Sequence, residues 1–278
     1  MIRTIVHLSD LHFGRTERVL LDPLVEVVQR VQPDVIVISG DLTQDARDGE
    51  FAQARRFVDR LPEPRIVIPG NHDMPFYNPI RRVARGLDGY RRWFGDNLEP
   101  CYSDAEVTIA SVNTVRLFPI RGGRINERQI GAVKQQMRAA RPGATRILVT
   151  HHPFDLAETY PTGELAGRAA LAMERLAQCI DVLLAGHHHV AHCGRTAVRY
   201  KTHGHSAVFV QAGTAISSRV RGEPNSFNVL RLHGNRIDIQ RCSWIPDRML
   251  FEVALTDAFV RATGGWERVP AEQLLRAG

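Results

Sequence analysis

Apolar residues along this chain alternate between two periods. Short runs rich in β-branched residues stand at Ile5–Val6, Val35–Ile38, Ile66–Ile68, Ile147–Val149 and Val182–Ala185. Runs of this length, closed by Gly or Asp, read as buried strands. Between the early ones the spacing turns helical. Leu20, Leu21, Leu24, Val27, Val28 and Val31 mark a helix over 20–31 that Pro33 stops. Phe51, Ala54, Phe57, Val58 and Leu61 mark a second helix over 49–61. Strands are predicted at 35–38 and 65–68. This β-α-β-α-β rhythm argues for an α/β protein with a parallel sheet core and helices on its faces.

Further along, a strand is expected at 106–112. A helix runs from Asn126 to about Ala140, with Gln129 completing a capping box. A strand at 146–149, a helix near 164–178 and a strand at 181–185 come next. From Ala207 the pattern turns to β, with strands at 208–210, 228–232 and 236–241. His233-Gly234-Asn235 forms the hairpin turn between the last two. The tail, 243–278, reads as one more strand and a short helix around Ala271–Arg276. The predicted division is one domain over 1–242, with 243–278 an extension packed on it.

Residues 73–100 interrupt the rhythm. They hold five arginines (Arg81, Arg82, Arg85, Arg91, Arg92) and the aromatics Phe76, Tyr77, Tyr90, Trp93 and Phe94. The segment leaves from the end of a strand, so it is a candidate cap over a site there. A surface helix with a solvated arginine face is the competing reading.

The residues just past the strand ends carry the chemistry. Asp10 and His12, Asp41, Asn71 and His72, His151, and His187 and His189 each stand beyond an apolar run. Ligands collect beyond the carboxyl ends of strands in open α/β sheets. The donors are oxygen and imidazole nitrogen without thiolate. That suits manganese, iron, zinc or magnesium. Asp10 and His12 are two apart, as are His187 and His189, so on regular strands each pair would face one side, with His188 turned away. Asp41 has two oxygens and can bridge two ions. Two ions about 3.5–4 Å apart can activate a water for in-line attack on phosphorus. His72, fixed beside Asn71, is placed to stabilise the oxyanion or protonate the leaving oxygen.

These segments, D-x-H, G-D, G-N-H-D, a strand-end His and G-H-x-H in order, resemble the calcineurin-like metallophosphoesterase superfamily. Each piece is weak alone, and the five together are specific over residues 5–189. The resemblance implies a four-layer αββα sandwich of two mixed sheets. It also implies two divalent ions, manganese or iron first and zinc or magnesium after them. Ion one would lie on Asp10, His12, Asp41 and His189, and ion two on Asp41, Asn71, His151 and His187. His12 and Asn71 would also touch the substrate, with His72 catalytic. The nearest group is the bacterial class III cyclic-nucleotide phosphodiesterases. Where relatives often place an acid three residues after the bridging Asp, this chain has Gln44, with Asp45 next as a substitute to orient His72.

Other polar residues read more plainly. His7 belongs to the core, His152 packs or orients a ligand, and His205 lies in a surface loop. Arg219, Arg221, Glu223, Asn225 and Asn228 connect the two sheets in preference to touching substrate.

Length and composition add little that conflicts. The 278 residues, 44% hydrophobic, suffice for one large domain. Without a run of about 20 apolar residues, no membrane span is expected. The N-terminus reads directly as a strand instead of a signal peptide, and four scattered cysteines suit a reduced, cytoplasmic protein. The net charge of +6 suits anionic substrates. The expected partner is a small phosphodiester, with 3',5'-cyclic nucleotides as leading candidates and a homo-oligomer left open. A lipid-linked or nucleotide-diphosphate phosphohydrolase is the alternative. A nuclease ranks lower because no basic arm or nucleic-acid capping domain is present, and a non-catalytic scaffold ranks last.

Overall fold

The computed structural model describes residues 2–75, 78–118, 122–200 and 205–270. The helix expected around Ala271–Arg276 falls outside these residues, as do Phe76, Tyr77 and His203. The first half alternates as its pattern requires. β1 (Arg3–Leu8) leads to α1 (Leu21–Val31), β2 (Val35–Ile38), α2 (Asp48–Val58) and β3 (Arg65–Val67). Gln32 ends α1 in a left-handed conformation, one residue before Pro33. Two short helices, α3 (Pro79–Arg85) and α4 (Asp88–Phe94), precede β4 (Tyr102–Ser103) and β5 (Val107–Val112). Then come α5 (Glu127–Arg138), β6 (Thr145–Thr150), α6 (Ala169–Leu176) and β7 (Val182–Ala185). Asn126 caps α5 through a reciprocal pair of hydrogen bonds with Gln129.

The remaining strands are β8 (His192–Arg195), β9 (Val208–Gln211), β10 (Ser226–Leu232), β11 (Arg236–Ile245), β12 (Leu250–Ala262) and β13 (Gly265–Arg268). A seven-stranded sheet runs β13-β12-β11-β10-β1-β2-β3, and a six-stranded sheet runs β4-β5-β6-β7-β9-β8. Both are mixed. β1-β2-β3 and β5-β6-β7-β9 are parallel, while β10–β13, β4 and β8 pair antiparallel.

Side-chain alternation sorts these strands into layers. Ile5, Val35 and Val37 of one sheet meet Ile147, Val149, Val182 and Val208 of the other in a central core. Val6, Leu8, Ile36 and Ile38 face outward onto α1 and α2, packing with Leu24, Val28, Phe51 and Ala54. Ala110, Val112 and Leu148 face outward onto α5 and α6, packing with Ile130, Val133, Ala172 and Met173. The result is an αββα sandwich. β2 and β7 are buried on both faces and therefore read as continuous apolar runs.

Two expectations change. The helix near 164–178 is broken. Residues Thr162–Glu164 form a 3-10 turn, and α6 starts only at Ala169. Gly167 bonds back to the Gly123 carbonyl, and Arg168 turns left-handed at φ 66°. The tail holds more strand than expected, because β11 runs on to Ile245 and both β12 and β13 join the seven-stranded sheet. Residues 253–256 of β12 are all exposed, so no apolar alternation marks them.

The arginine-rich segment packs beside the sandwich. α4 lies on α2, and the Tyr90 hydroxyl donates to the Val67 carbonyl at 2.8 Å. Arg82 is buried and donates to the Leu117 and Arg116 carbonyls, both at 2.9 Å. No described residue of 78–100 lines the cavity at the strand ends.

Candidate metal centre

The parallel strands of both sheets end at one edge of the sandwich. There the chain turns abruptly, and five of the proposed ligands adopt left-handed backbone: Asp10 (φ 54°), His12 (45°), Asp41 (52°), His187 (82°) and His189 (60°). Such conformations are sparse outside glycine and gather at functional sites. Two adjacent loops hold one another, since the Asp10 amide donates to the Gly40 carbonyl and the His12 amide to the Asp41 carbonyl. A Cβ on Gly70 would lie 2.2 Å from the Asp41 amide nitrogen and Oδ1, so only glycine lets these loops approach.

The side chains converge. His12 Nε2 and His189 Nε2 are 3.0 Å apart. Asp10 Oδ1 is 3.8 Å from the first and 3.3 Å from the second. Asp41 Oδ2 is 3.6 Å from His12 Nε2 and 3.4 Å from His151 Nε2, which in turn is 3.1 Å from Asn71 Oδ1. One carboxylate oxygen thus faces both groups of ligands. His187 lies over His151 and His152, with ring centroids 5.2 and 4.6 Å away. Its amide donates to Asp10 Oδ2 at 2.9 Å.

Asp10, His12, Asp41 and His189 fit a divalent ion, and a second group of donor atoms brings His151 and His187 together with His152. The donor atoms of Asp10, His12, Asp41 and His189 all lie within 4.8 Å of one another, and all four residues are buried. Asp10 Oδ1 is buried with no hydrogen bond among the described residues, which is costly unless a cation faces it. Charge balance agrees. Burial would raise the Asp41 carboxyl, but His151 and His72 outweigh it and hold it well below the carboxylate range. Burial would lower His151, but Asp41 outweighs it and pushes the imidazole up to about 9. A proton there stands where a cation would, and cation binding would release it. Burial drives His12 and His187 well below the usual imidazole range, which leaves neutral donors.

His72 is 6% exposed, and burial lowers its pKa. Its backbone amide donates to Asp41 Oδ1 at 2.8 Å. Its ring Nδ1 lies 2.8 Å from the Gln44 carbonyl, so the orienting group found there is a backbone oxygen contributed by the residue at the acid's usual position. With Nδ1 donating to that carbonyl, Nε2 is directed toward the cavity. Asp73 anchors the loop, accepting from the Gly70, Leu42 and Thr43 amides. Burial, with Asp41 nearby, pushes its carboxyl up to about 7.

A cavity of about 560 Å³ opens over this cluster, lined by Asp41, Asn71, His72, His187, Glu164 and Arg219 among others. Two expectations are corrected here. His188 does not face away. It is 3% exposed, lines the cavity, and packs against His187 and Tyr160. β7 ends at Ala185, so strand alternation no longer applies where the chain turns left-handed. Arg219 is not merely a connector between sheets. Its Nη1 lies 3.1 Å from His72 Nε2, 3.4 Å from His12 Nδ1 and 3.3 Å from Gln44 Oε1. No spacing marks it, because it arrives from a loop far along the chain. His7 is buried against Ser39, His152 contacts Thr114, and His205 lies 3.0 Å from the Ile180 carbonyl, away from the cavity lining.

The calcineurin-like phosphoesterase family model matches residues 3–191, and the chain belongs to that family. A probable cyclic nucleotide phosphodiesterase of Synechococcus sp. is 27% identical over 162 residues, covering 57% of this chain and 59% of that protein. A glycerophosphodiester phosphodiesterase of Enterobacter lignolyticus is 24% identical over 200 residues, covering 66% and 70%. A dimetal phosphatase from Danio rerio superposes with a TM-score of 0.63 at 14% identity, over 91% of this chain and 98% of that one. That last likeness concerns the fold. No helix among the described residues is long and apolar enough to cross a membrane.

Proposed function

We propose that the protein is a metal-dependent phosphoester hydrolase that cleaves small phosphodiesters, with 3',5'-cyclic nucleotides the first class to test. The supporting observation is the Asp41 carboxylate, whose Oδ2 faces His12 on one side and His151 on the other at 3.6 and 3.4 Å. Asp10, His12, Asp41 and His189 would hold one divalent ion, and Asp41, Asn71, His151 and His187 a second. Such ions would supply Lewis acidity toward phosphoryl oxygens and a hydroxide at neutral pH. The protein's own groups do the rest. His12 and Asn71 flank the bound phosphate. With Nδ1 donating to the Gln44 carbonyl, His72 acts in its doubly protonated form, whose Nε2–H faces the developing charge or gives its proton to the departing oxygen. The diester preference rests on the names of the two relatives, both phosphodiesterases.

The test compares turnover of bis(p-nitrophenyl) phosphate and p-nitrophenyl phosphate by chelator-stripped protein reloaded with manganese, iron, zinc or magnesium. Metal-dependent turnover with the diester preferred supports the reading and leads to a cyclic-nucleotide screen. Protein that binds two ions and hydrolyses neither these esters nor cyclic nucleotides would overturn it.

A further inference from the structure

Arg219 stands out among the cavity residues because its position makes sense only partly within the protein. All three of its side-chain contacts run through Nη1, to His72 Nε2, His12 Nδ1 and Gln44 Oε1. Nε and Nη2 make no hydrogen bond among the described residues, on a residue that lines the cavity. A guanidinium has five N–H donors in a planar fork and no acceptor. The two unengaged nitrogens of that fork, Nε and Nη2, stand beside the proposed catalytic imidazole and match two oxygens of a phosphoryl group.

The contact with His12 is also conditional. A donor at Nη1 requires a lone pair on His12 Nδ1. An imidazole that binds an ion through Nε2 carries its proton on Nδ1. His12 Nε2 is the nitrogen directed at Asp10, Asp41 and His189. Loading an ion there would set two donors against each other across the 3.4 Å contact with Arg219. The guanidinium would then lose one of its partners inside the protein and gain reason to seek an anion. The arginine is anchored for this, since its backbone carbonyl accepts from His189 Nδ1 at 2.8 Å and its amide donates to Ser217 Oγ at 3.1 Å.

We propose that Arg219 is a substrate-binding residue of this site, released from His12 when metal occupies Nε2 and clamping non-bridging oxygens of the phosphoester. It rests on the reading of the cavity as a phosphoesterase site. It adds to that reading a fixed protein cation contributed from beyond the matched family region.

The experiment uses the full chain, wild type and the variants R219A, R219Q and R219K, each with metal content measured. Inorganic phosphate is titrated into the metal-loaded and metal-stripped proteins by calorimetry, and kcat and KM are measured on bis(p-nitrophenyl) phosphate. In the metal-loaded protein, R219A and R219Q are expected to weaken phosphate binding by about 10- to 100-fold, the size of a charge-assisted pair. They are expected to lower kcat/KM by about 10²–10³. R219K should recover part of the phosphate affinity, and added guanidinium should raise R219A turnover. In metal-stripped protein the same substitutions should change phosphate affinity little. Phosphate affinity unchanged in metal-loaded R219Q with metal content intact would overturn the assignment, as would an equal loss with and without metal. Should R219A lose its ions, R219Q, of closer size and uncharged, carries the comparison. If wild type hydrolyses no ester, the proposed function falls, while the phosphate titration still decides the role of Arg219.

Discussion

Replacing His72 with alanine would separate the proposed chemistry from metal binding, because the imidazole would carry the first while the backbone amide supports the proposed ligand Asp41. The backbone amide of His72 donates to Asp41 Oδ1 at 2.8 Å, and alanine keeps that donor. The loop is held independently by Asp73, which accepts from three amides. What His72→Ala removes is the imidazole, with its contact to the Gln44 carbonyl and its Nε2 near Arg219. Folding stability should fall by about 1–2 kcal/mol, the loss of one buried hydrogen-bonding group. Turnover should fall by about 10²–10⁴, equal to about 2.7–5.5 kcal/mol of transition-state stabilisation. The assay is kcat on diesters whose leaving alcohols differ in acidity, alongside metal analysis by mass spectrometry. If His72 protonates the leaving oxygen, the loss grows as the alcohol becomes less acidic. If it only stabilises the oxyanion, the loss is similar across the series. Turnover within about threefold of wild type on every diester, with metal content intact, would remove His72 from the mechanism.

Asp41→Ala should lose both ions, because Asp41 Oδ2 faces both groups of ligands; retention of two ions by metal analysis would refute the bridge. Gly70→Ala should lower metal content and turnover together, since its Cβ would stand 2.2 Å from Asp41 Oδ1, and the displaced backbone should lower stability by about 1–3 kcal/mol in a denaturant melt. Asp181 gives a pH signature away from the site. Burial would raise its carboxyl, but Arg146 and Arg261 outweigh burial and hold it below the ordinary value. A lowered carboxyl stabilises the fold above its unfolded pKa, and that contribution disappears as pH falls through the folded value. Asp181→Asn should lower stability at pH 7 by about 1–2 kcal/mol, since its arginine partners are partly exposed and can be solvated. The gap to wild type should narrow below about pH 4 in urea melts, and a gap that stays constant down to about pH 2 would contradict this.

How much of the fold is legible in the sequence depends on which residues carry local signals. β2 lies where four consecutive apolar residues put it, because a strand buried on both faces has no polar positions to confuse the period. α5 begins where Asn126 and Gln129 form their box. The losses occur where tertiary contacts override the local pattern. Gly167 and Arg168 break a helical stretch to reach the Gly123 loop, and β12 crosses an exposed region where alternation buries nothing. Its pairing with β11 over ten residue pairs, which no local pattern shows, makes it a strand.

The site divides along the same line. Asp10, His12, Asp41, Asn71, His151, His187 and His189 all stand past strand ends, so chain order and apolar runs suffice to gather them. Alternation along a strand, however, is not how the paired ligands meet. Asp10 and His12 lie beyond the last residue of β1, and both turn left-handed. The loops impose that geometry through Gly40, Gly70 and Gly186, where a Cβ would strike His151, Asp41 and Ser9 respectively. Motif spacing therefore stands in for loop geometry, and it is silent on residues that enter the cavity by another route. Arg219 lies 30 residues beyond His189 and meets it through its own backbone carbonyl. His188 sits inside a motif, yet alternation misplaces it because the rule holds only as far as the strand does, and β7 has ended by then. The arginine and histidine that complete the cavity wall thus lie where sequence periodicity has no physical basis.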